Sequence, residues 1–147
     1  MGGILKNKEI FKYRGAGDGF GSREIWLKDK GGADLAAAAA LTVDGNIYLA
    51  AANGQIYKFF TGKNQTFEQK PIEPALANVK KIFTNADLDN LYILEDNGKR
   101  IVLMDKNGNF TRQYLFDSLD GPIKDFVIDN GAIYLLSGNK IYLTVVE

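Results

Sequence analysis

The chain contains no cysteine and no histidine. Without cysteine there is no disulfide framework, and the redox compartment is left unmarked. The two absences together remove zinc sites of the usual Cys/His kind, Ser-His-Asp and Cys-His nucleophilic pairs, and haem ligation by histidine. An excess of either charge is also missing, with 18 basic residues against 18 acidic. A surface built to neutralise phosphates normally shows a basic surplus, so no nucleic-acid partner is expected. Lys80-Lys81 and Lys99-Arg100 are isolated pairs that read as solvated strand edges or turns. No long hydrophobic run occurs. The longest, Leu35 to Leu41 continuing to Val43, falls far short of the roughly 20 residues of a membrane span. The start, Met1-Gly2-Gly3-Ile4-Leu5-Lys6, has no apolar stretch of the signal-peptide kind. No membrane partner and no cofactor are expected, and the compartment stays unassigned.

What is present suits a single domain with a core: 147 residues, 46% hydrophobic and 24% charged. The dominant signal is internal repetition. Asn46-Ile47-Tyr48-Leu49 recurs as Asn90-Leu91-Tyr92-Ile93 and as Ala132-Ile133-Tyr134-Leu135. A second run follows each copy: Gln55-Ile56-Tyr57-Lys58-Phe59, Arg100-Ile101-Val102-Leu103-Met104 and Lys140-Ile141-Tyr142-Leu143. A fourth copy of that second run opens the chain as Glu9-Ile10-Phe11-Lys12-Tyr13. The spacing of about 40–46 residues is that of four-stranded propeller blades.

Apolar and polar residues alternate at period two inside each unit, and Gly, Asn and Asp punctuate the runs. The clearest unit places strand A at Ala37–Val43, B at Asn46–Ala51, C at Gln55–Thr61 and D at Thr66–Ile72. Asp44-Gly45 and Asn53-Gly54 supply the tight turns, since glycine accepts positive φ. The next unit reads Val79–Thr84, Asn90–Glu95, Lys99–Met104 and Phe110–Phe116. The last reads Ile123–Ile128, Ala132–Leu136 and Lys140–Val145, without a strand D. Lys8–Arg14 and Arg23–Lys28 supply a C and a D at the beginning. The expected fold is therefore all-β, with roughly 13 strands and about three blades in one array. Residues 1–34 carry strands C-D of a shared blade, 35–75 and 76–118 are whole blades, and 119–147 carry A-B-C. Leu35–Leu41 is the one stretch where the helix preference of alanine competes. Its repeat position assigns much of it to strand A, at an axis where small side chains fit.

Asp44-Gly45-Asn46-Ile47-Tyr48-Leu49 followed by Asn53-Gly54-Gln55-Ile56-Tyr57-Lys58-Phe59 resembles the repeats of NHL-like β-propellers, and the likeness runs over nearly the whole chain. It implies architecture and little about activity, because propellers host many unrelated functions. The Trp-Asp ending of WD40 blades and the paired glycines of kelch repeats are both absent.

Motifs with chemical connotations read more simply as structure. Gly15-Ala16-Gly17-Asp18-Gly19-Phe20-Gly21 is out of register for a dinucleotide fingerprint and no helix pattern follows, so it reads as a C–D hairpin. Gly62-Lys63 precedes Asn64, without a Walker glycine, and reads as a C–D turn. Asp87-Leu88-Asp89-Asn90 lacks the glycine and the terminal glutamate of a calcium loop. Asp117, Asp120 and Asp125 gather near Gly121-Pro122 but show no sign of a closed pocket with a raised pKa. Tyr48, Tyr92 and Tyr134 share one repeat position on strand B, which points to packing between blades. Trp26 is compatible with either a core or a contact role.

The leading functional expectation is a non-enzymatic scaffold or binding module that self-assembles into a closed ring, most simply a homodimer with six blades. Glu24, Trp26, Ile141 and Leu143 would lie at the closure. The D–A and B–C loops, with Asp34, Asn78 and Asp120, form the candidate binding face for a protein or small-molecule ligand. The competing expectations are a carbohydrate- or small-molecule-acting enzyme using Asp34, Asp120 and Asp125, and an excised or engineered piece of a longer propeller.

Overall fold

A computed structural model describes residues 9–145 of the chain. The opening Met1–Lys6 segment and the first residue of the expected strand Lys8–Arg14 lie outside them. Among the described residues there are 13 strands: β1 (Phe11–Ala16), β2 (Gly19–Ile25), β3 (Ala38–Val43), β4 (Ile47–Ala51), β5 (Ile56–Phe60), β6 (Lys63–Gln65), β7 (Val79–Phe83), β8 (Asn90–Glu95), β9 (Arg100–Asp105), β10 (Phe110–Leu115), β11 (Ile123–Asp129), β12 (Ala132–Ser137) and β13 (Lys140–Val145). Each pairs antiparallel with its sequence neighbour, giving sheets β1-β2, β3-β4-β5-β6, β7-β8-β9-β10 and β11-β12-β13. The last three are blades 1, 2 and 3, with strands A to D in chain order.

The three blades share one register. Thr42 faces Tyr48, Phe83 faces Tyr92 and Val127 faces Tyr134 across the A–B pair. All three A strands also carry an irregularity at the same place, between Ala38 and Ala40, Val79 and Lys81, and Ile123 and Asp125. A bulge repeated in this way is a designed bend that adds twist.

Alternation gives every blade a forward face, turned toward the next blade, and a rear face. The forward Tyr48, Ala50 and Ile56 of blade 1 pack on the rear Ile82, Leu91, Ile93, Val102 and Met104 of blade 2. The forward Tyr92, Leu94, Ile101 and Leu103 of blade 2 pack on the rear Ile123, Phe126, Ile133 and Leu135 of blade 3. The core is thus a pair of apolar seams between sheets about 10 Å apart. Polar staples reinforce them: the Thr84 N–H donates to Thr42 Oγ1, which donates in turn to the Thr84 carbonyl. The tight B–C turns press against the following blade. Gly54 and Gly98 have positive φ, and a side chain there would strike the Leu76 carbonyl and the Ile123 amide respectively.

Three expectations need correction. Strand D of blade 1 is not Thr66–Ile72 but the short β6, Lys63–Gln65. Beyond it the Gln69 side chain accepts from the Ile56 amide at 2.9 Å and donates to the Gly54 carbonyl at 2.7 Å, satisfying the edge in place of a strand. The Lys70 amide donates instead to the Gly108 carbonyl of blade 2, drawing the chain across. The first two strands are also displaced from Lys8–Arg14 and Arg23–Lys28 to Phe11–Ala16 and Gly19–Ile25, so most of the glycine-rich segment lies inside strands and only Gly17-Asp18 turns. Finally, Leu35–Ala37 is a 3-10 turn capped by the Asp34 carboxylate, and strand A starts at Ala38.

Candidate functional site

The connections between strand D of one blade and strand A of the next all lie at one end of the sheets, together with the B–C turns. This is the end where the candidate binding residues were expected. Asp34 Oδ1 accepts from the Ala36 amide at 3.0 Å and serves as a cap. Asn78 adopts a left-handed conformation (φ 51°), and its carbonyl accepts from the Asp96 amide at 2.6 Å. Asp120 is exposed and pairs with Lys140 at 2.7 Å. Each is engaged locally on a separate connection, and none points jointly with another at a shared atom.

Two of the clefts at this end occupy matching junctions. One, of about 380 Å³, is lined by Asn53, Gly54, Gln55, Gln69, Pro71 and Leu76, at the junction of blades 1 and 2. The other, of about 410 Å³, is lined by Asn97, Lys99, Asp117, Leu119 and Pro122, at the junction of blades 2 and 3. Their positions are equivalent in the repeat. A third cleft beside them is lined in part by a feature that the sequence did not announce, the buried pair of Glu95 with Arg100 at 2.5 Å. The Arg100 guanidinium also donates to the Pro74 carbonyl at 2.8 Å, to Gln113 Oε1 at 3.1 Å and to the Ala75 carbonyl at 3.3 Å. The second carboxylate oxygen of Glu95 accepts from the Ala77 amide at 3.0 Å. Every partner is satisfied from within the chain, so the pair clamps the connection from blade 1 to blade 2.

The carboxylates proposed for acid chemistry are poorly placed for it. Lys81 Nζ lies 2.5 Å from Asp125 Oδ1 and 2.7 Å from the Phe126 carbonyl. Its hydrogen bond to Asp125 outweighs burial and holds that carboxyl below its ordinary value. A carboxylate held ionised is not a proton donor. Asp120 has a different lysine partner, and the two do not form a shared site. Among the described residues, no three acidic side chains come together in a metal-holding arrangement. Asp44 is held below its ordinary value as well: burial would raise it, but the hydrogen bond from Lys106, those from the Asn46 amide and side chain, and the Lys106 charge outweigh burial.

The tyrosines of the shared repeat position divide. Tyr48 and Tyr92 are buried in the two seams, while Tyr134 is 40% exposed. It belongs to a forward face on which none of the described residues packs. Leu136, Ile141, Leu143, Val127 and Val145 are exposed beside it, Ile141 by 73% and Leu143 by 61%. Tyr134 pairs with Leu143 and Leu136 with Ile141, as Tyr92 pairs with Leu103 and Leu94 with Ile101 in the buried seam. Gly138, the counterpart of Gly54 and Gly98 in the B–C turn, has open space where they have the next blade.

The architecture is matched among solved structures. The chain superposes on a chain of the crystal structure of a nidogen/laminin complex over 94% of its own length and 54% of that chain, at 17% identity and a TM-score of 0.65. It superposes on Kluyveromyces lactis Hsv2 over 76% of its length and 33% of that chain, at 7% identity and a TM-score of 0.53. Both neighbours are β-propeller-type folds. The chain is an all-β protein of that type. At such identities the likeness is one of fold, and the chain spans about half the length of the first neighbour and a third of the second. No protein-family model matches the chain, and comparison with curated protein sequences gave no match.

At the opposite end of the array, the residues flanking the β1-β2 hairpin lie against the rear face of blade 1, while the two strands are largely exposed. Trp26, Leu27 and Ile10 pack there with Ile47, Leu49, Tyr57 and Phe59. Trp26 is thus a packing residue and half-buried. Glu24, paired with Arg14 at 2.8 Å, stands across from Lys12 on β1. Ile10, Trp26 and Leu27 cover only part of the rear face. Leu41 and Val43 on strand A remain exposed.

Proposed function

We propose that the protein is a non-enzymatic β-propeller scaffold of NHL-like repeats that closes a ring with a second copy of itself and presents its loop-bearing end to a protein or small-molecule ligand. The observation that carries this reading is the free forward face of blade 3. Its Tyr134, Leu136, Ile141 and Leu143 occupy the register positions of Tyr92, Leu94, Ile101 and Leu103, which blade 2 buries against its neighbour. A contiguous apolar face of this kind favours association. The surface that fits it is a rear blade face, and the exposed Leu41 and Val43 on blade 1 belong to one.

One surface patch meeting a different one makes a head-to-tail contact, which must close by rotation or it will polymerise. Three blades are too few, since propellers hold about four to eight. Two chains give about six, within that range. The free edge of β13, which pairs only with β12 among the described residues, is then covered by a strand of the other copy, removing an open template for aggregation. Light scattering at micromolar concentration tests the reading: a mass of two chains supports it, and the mass of one chain refutes it. The ligand-binding part is tested separately, by titrating peptide and glycan libraries against the protein and against an Asn97→Ala, Lys99→Ala variant at the mouth of the second cleft. Binding that the variant loses supports the loop end as the site, and binding that survives it places the site elsewhere.

A further inference from the structure

The chain leaving the hairpin β1-β2 is seated on blade 1 as the chain leaving a strand D is seated on the following blade, with the two strands themselves largely exposed. The Asp29 amide donates to the Gly62 carbonyl at 3.0 Å, as the Lys70 amide donates to the Gly108 carbonyl at 2.9 Å. A side chain on Gly62 would strike the Trp26 carbonyl, as one on Gly108 would strike that of Glu68. Trp26, which follows β2 and donates its amide to the Ile10 carbonyl at 2.8 Å, packs on the rear of blade 1 as Tyr114 of β10 packs in the seam with blade 3. β2 is therefore in the position of a strand D and β1 in that of a strand C. Blade 3 already has a strand C of its own, β13. If β2 completes the partner's blade 3, two strands claim one slot.

We propose that β1 is an in-chain placeholder, holding the slot beside β2 until β13 of a second copy displaces it during ring closure. The inference rests on the head-to-tail reading above. Side chains favour the exchange. Toward blade 1, β1 and the residue before it offer Ile10 and Lys12, whereas β13 offers Ile141 and Leu143 at the same positions of the repeat. The exchange buries the exposed Ile141 and Leu143 and releases Ile10 and Lys12, a net gain of one apolar side chain. The incumbent is also weakly held. Among the described residues it pairs with β2 alone, and its register shifts between Tyr13 and Gly15. Glycines 15, 19 and 21 lie within the pair, and glycine inside a strand weakens it. Tyr13 and Phe20 pack edge to face on the solvent side, Phe20 83% exposed. An isolated two-stranded hairpin is marginal in water.

The test uses a disulfide lock, clean because the chain has no cysteine of its own. Phe11 and Ile25 are cross-strand partners. Since Trp26 bonds to Ile10, the Phe11–Ile25 pair is the closely spaced kind, within disulfide reach. The variant Phe11→Cys, Ile25→Cys is expected to scatter as one chain when oxidised and as two chains when reduced, like the unmodified protein. An oxidised form that pairs as well as the reduced form overturns the placeholder, because β1 then need not leave. If the unmodified and reduced proteins both stay single chains, the head-to-tail reading itself fails. A positive readout comes from mixing Ile25→Cys chains with Tyr142→Cys chains: a covalent two-chain product is expected between them, and its absence from an assembled two-chain protein overturns the exchange.

Discussion

Tyr92 shows at the scale of one residue how the repeat works. Its ring lies in the seam between blades 2 and 3 and is 4% exposed, so truncation removes a large buried volume. Tyr92→Ala is expected to cost ~3–5 kcal/mol, read as a shift in the denaturant midpoint; an unchanged midpoint would mean that the residue does not pack as described. Tyr48 occupies the same position one blade earlier, but its hydroxyl is buried with no hydrogen-bond partner. Burial, then the nearby Asp44 charge, push its pKa up to about 12, while Asn46 works weakly the other way. The folded pKa is raised above that of the unfolded chain, about 10. The unfolded state therefore loses its proton first, and the associated stability is complete below about pH 10 and lost as pH rises toward 12. Tyr48→Phe removes the orphaned hydroxyl, so it is expected to leave stability at neutral pH equal or higher and to flatten the alkaline fall. A steeper fall in the variant would contradict this account. The repetition of Tyr48, Tyr92 and Tyr134 was legible in the sequence. Their different fates were not, because what covers a residue depends on whether another sheet stands before it.

Strands and turns were largely legible because alternation and Asp-Gly or Asn-Gly pairs act locally. β7 to β13 lie within a residue or two of their expected bounds. The failures came where a side chain took over a backbone role. Gln69 imitates a strand beside Ile56, and period-two patterning in Thr66–Ile72 carries no trace of that. The Glu95–Arg100 clamp was equally hidden. Lys99-Arg100 reads in the sequence as a solvated edge or turn, but Arg100 is buried, because the fold brings the Pro74 and Ala75 carbonyls over it. Breaking a buried pair leaves one charge uncompensated, so Glu95→Ala is expected to destabilise the protein by ~3–5 kcal/mol and to loosen the connection from blade 1 to blade 2. Hydrogen exchange at the Ala77 amide, which Glu95 holds, checks this; unchanged protection there would show that the connection stands without the clamp.

For the whole molecule, the blades are copies and so are their faces. Two seams are filled and a third set of equivalent residues is bare, which makes the bare face of blade 3 the centre of the functional account. It also separates folding from assembly, since Ile141 and Leu143 contribute little to the chain's own core. Ile141→Lys with Leu143→Lys is expected to leave the thermal transition of the isolated chain nearly unchanged while abolishing association. Retained association would place the contact elsewhere. The most direct measurement is the molar mass of the unmodified protein by light scattering across the micromolar range. The account predicts twice the 16.2 kDa of one chain, reverting to a single chain in the double lysine variant. A mass of one chain for the unmodified protein, at every concentration, would contradict it.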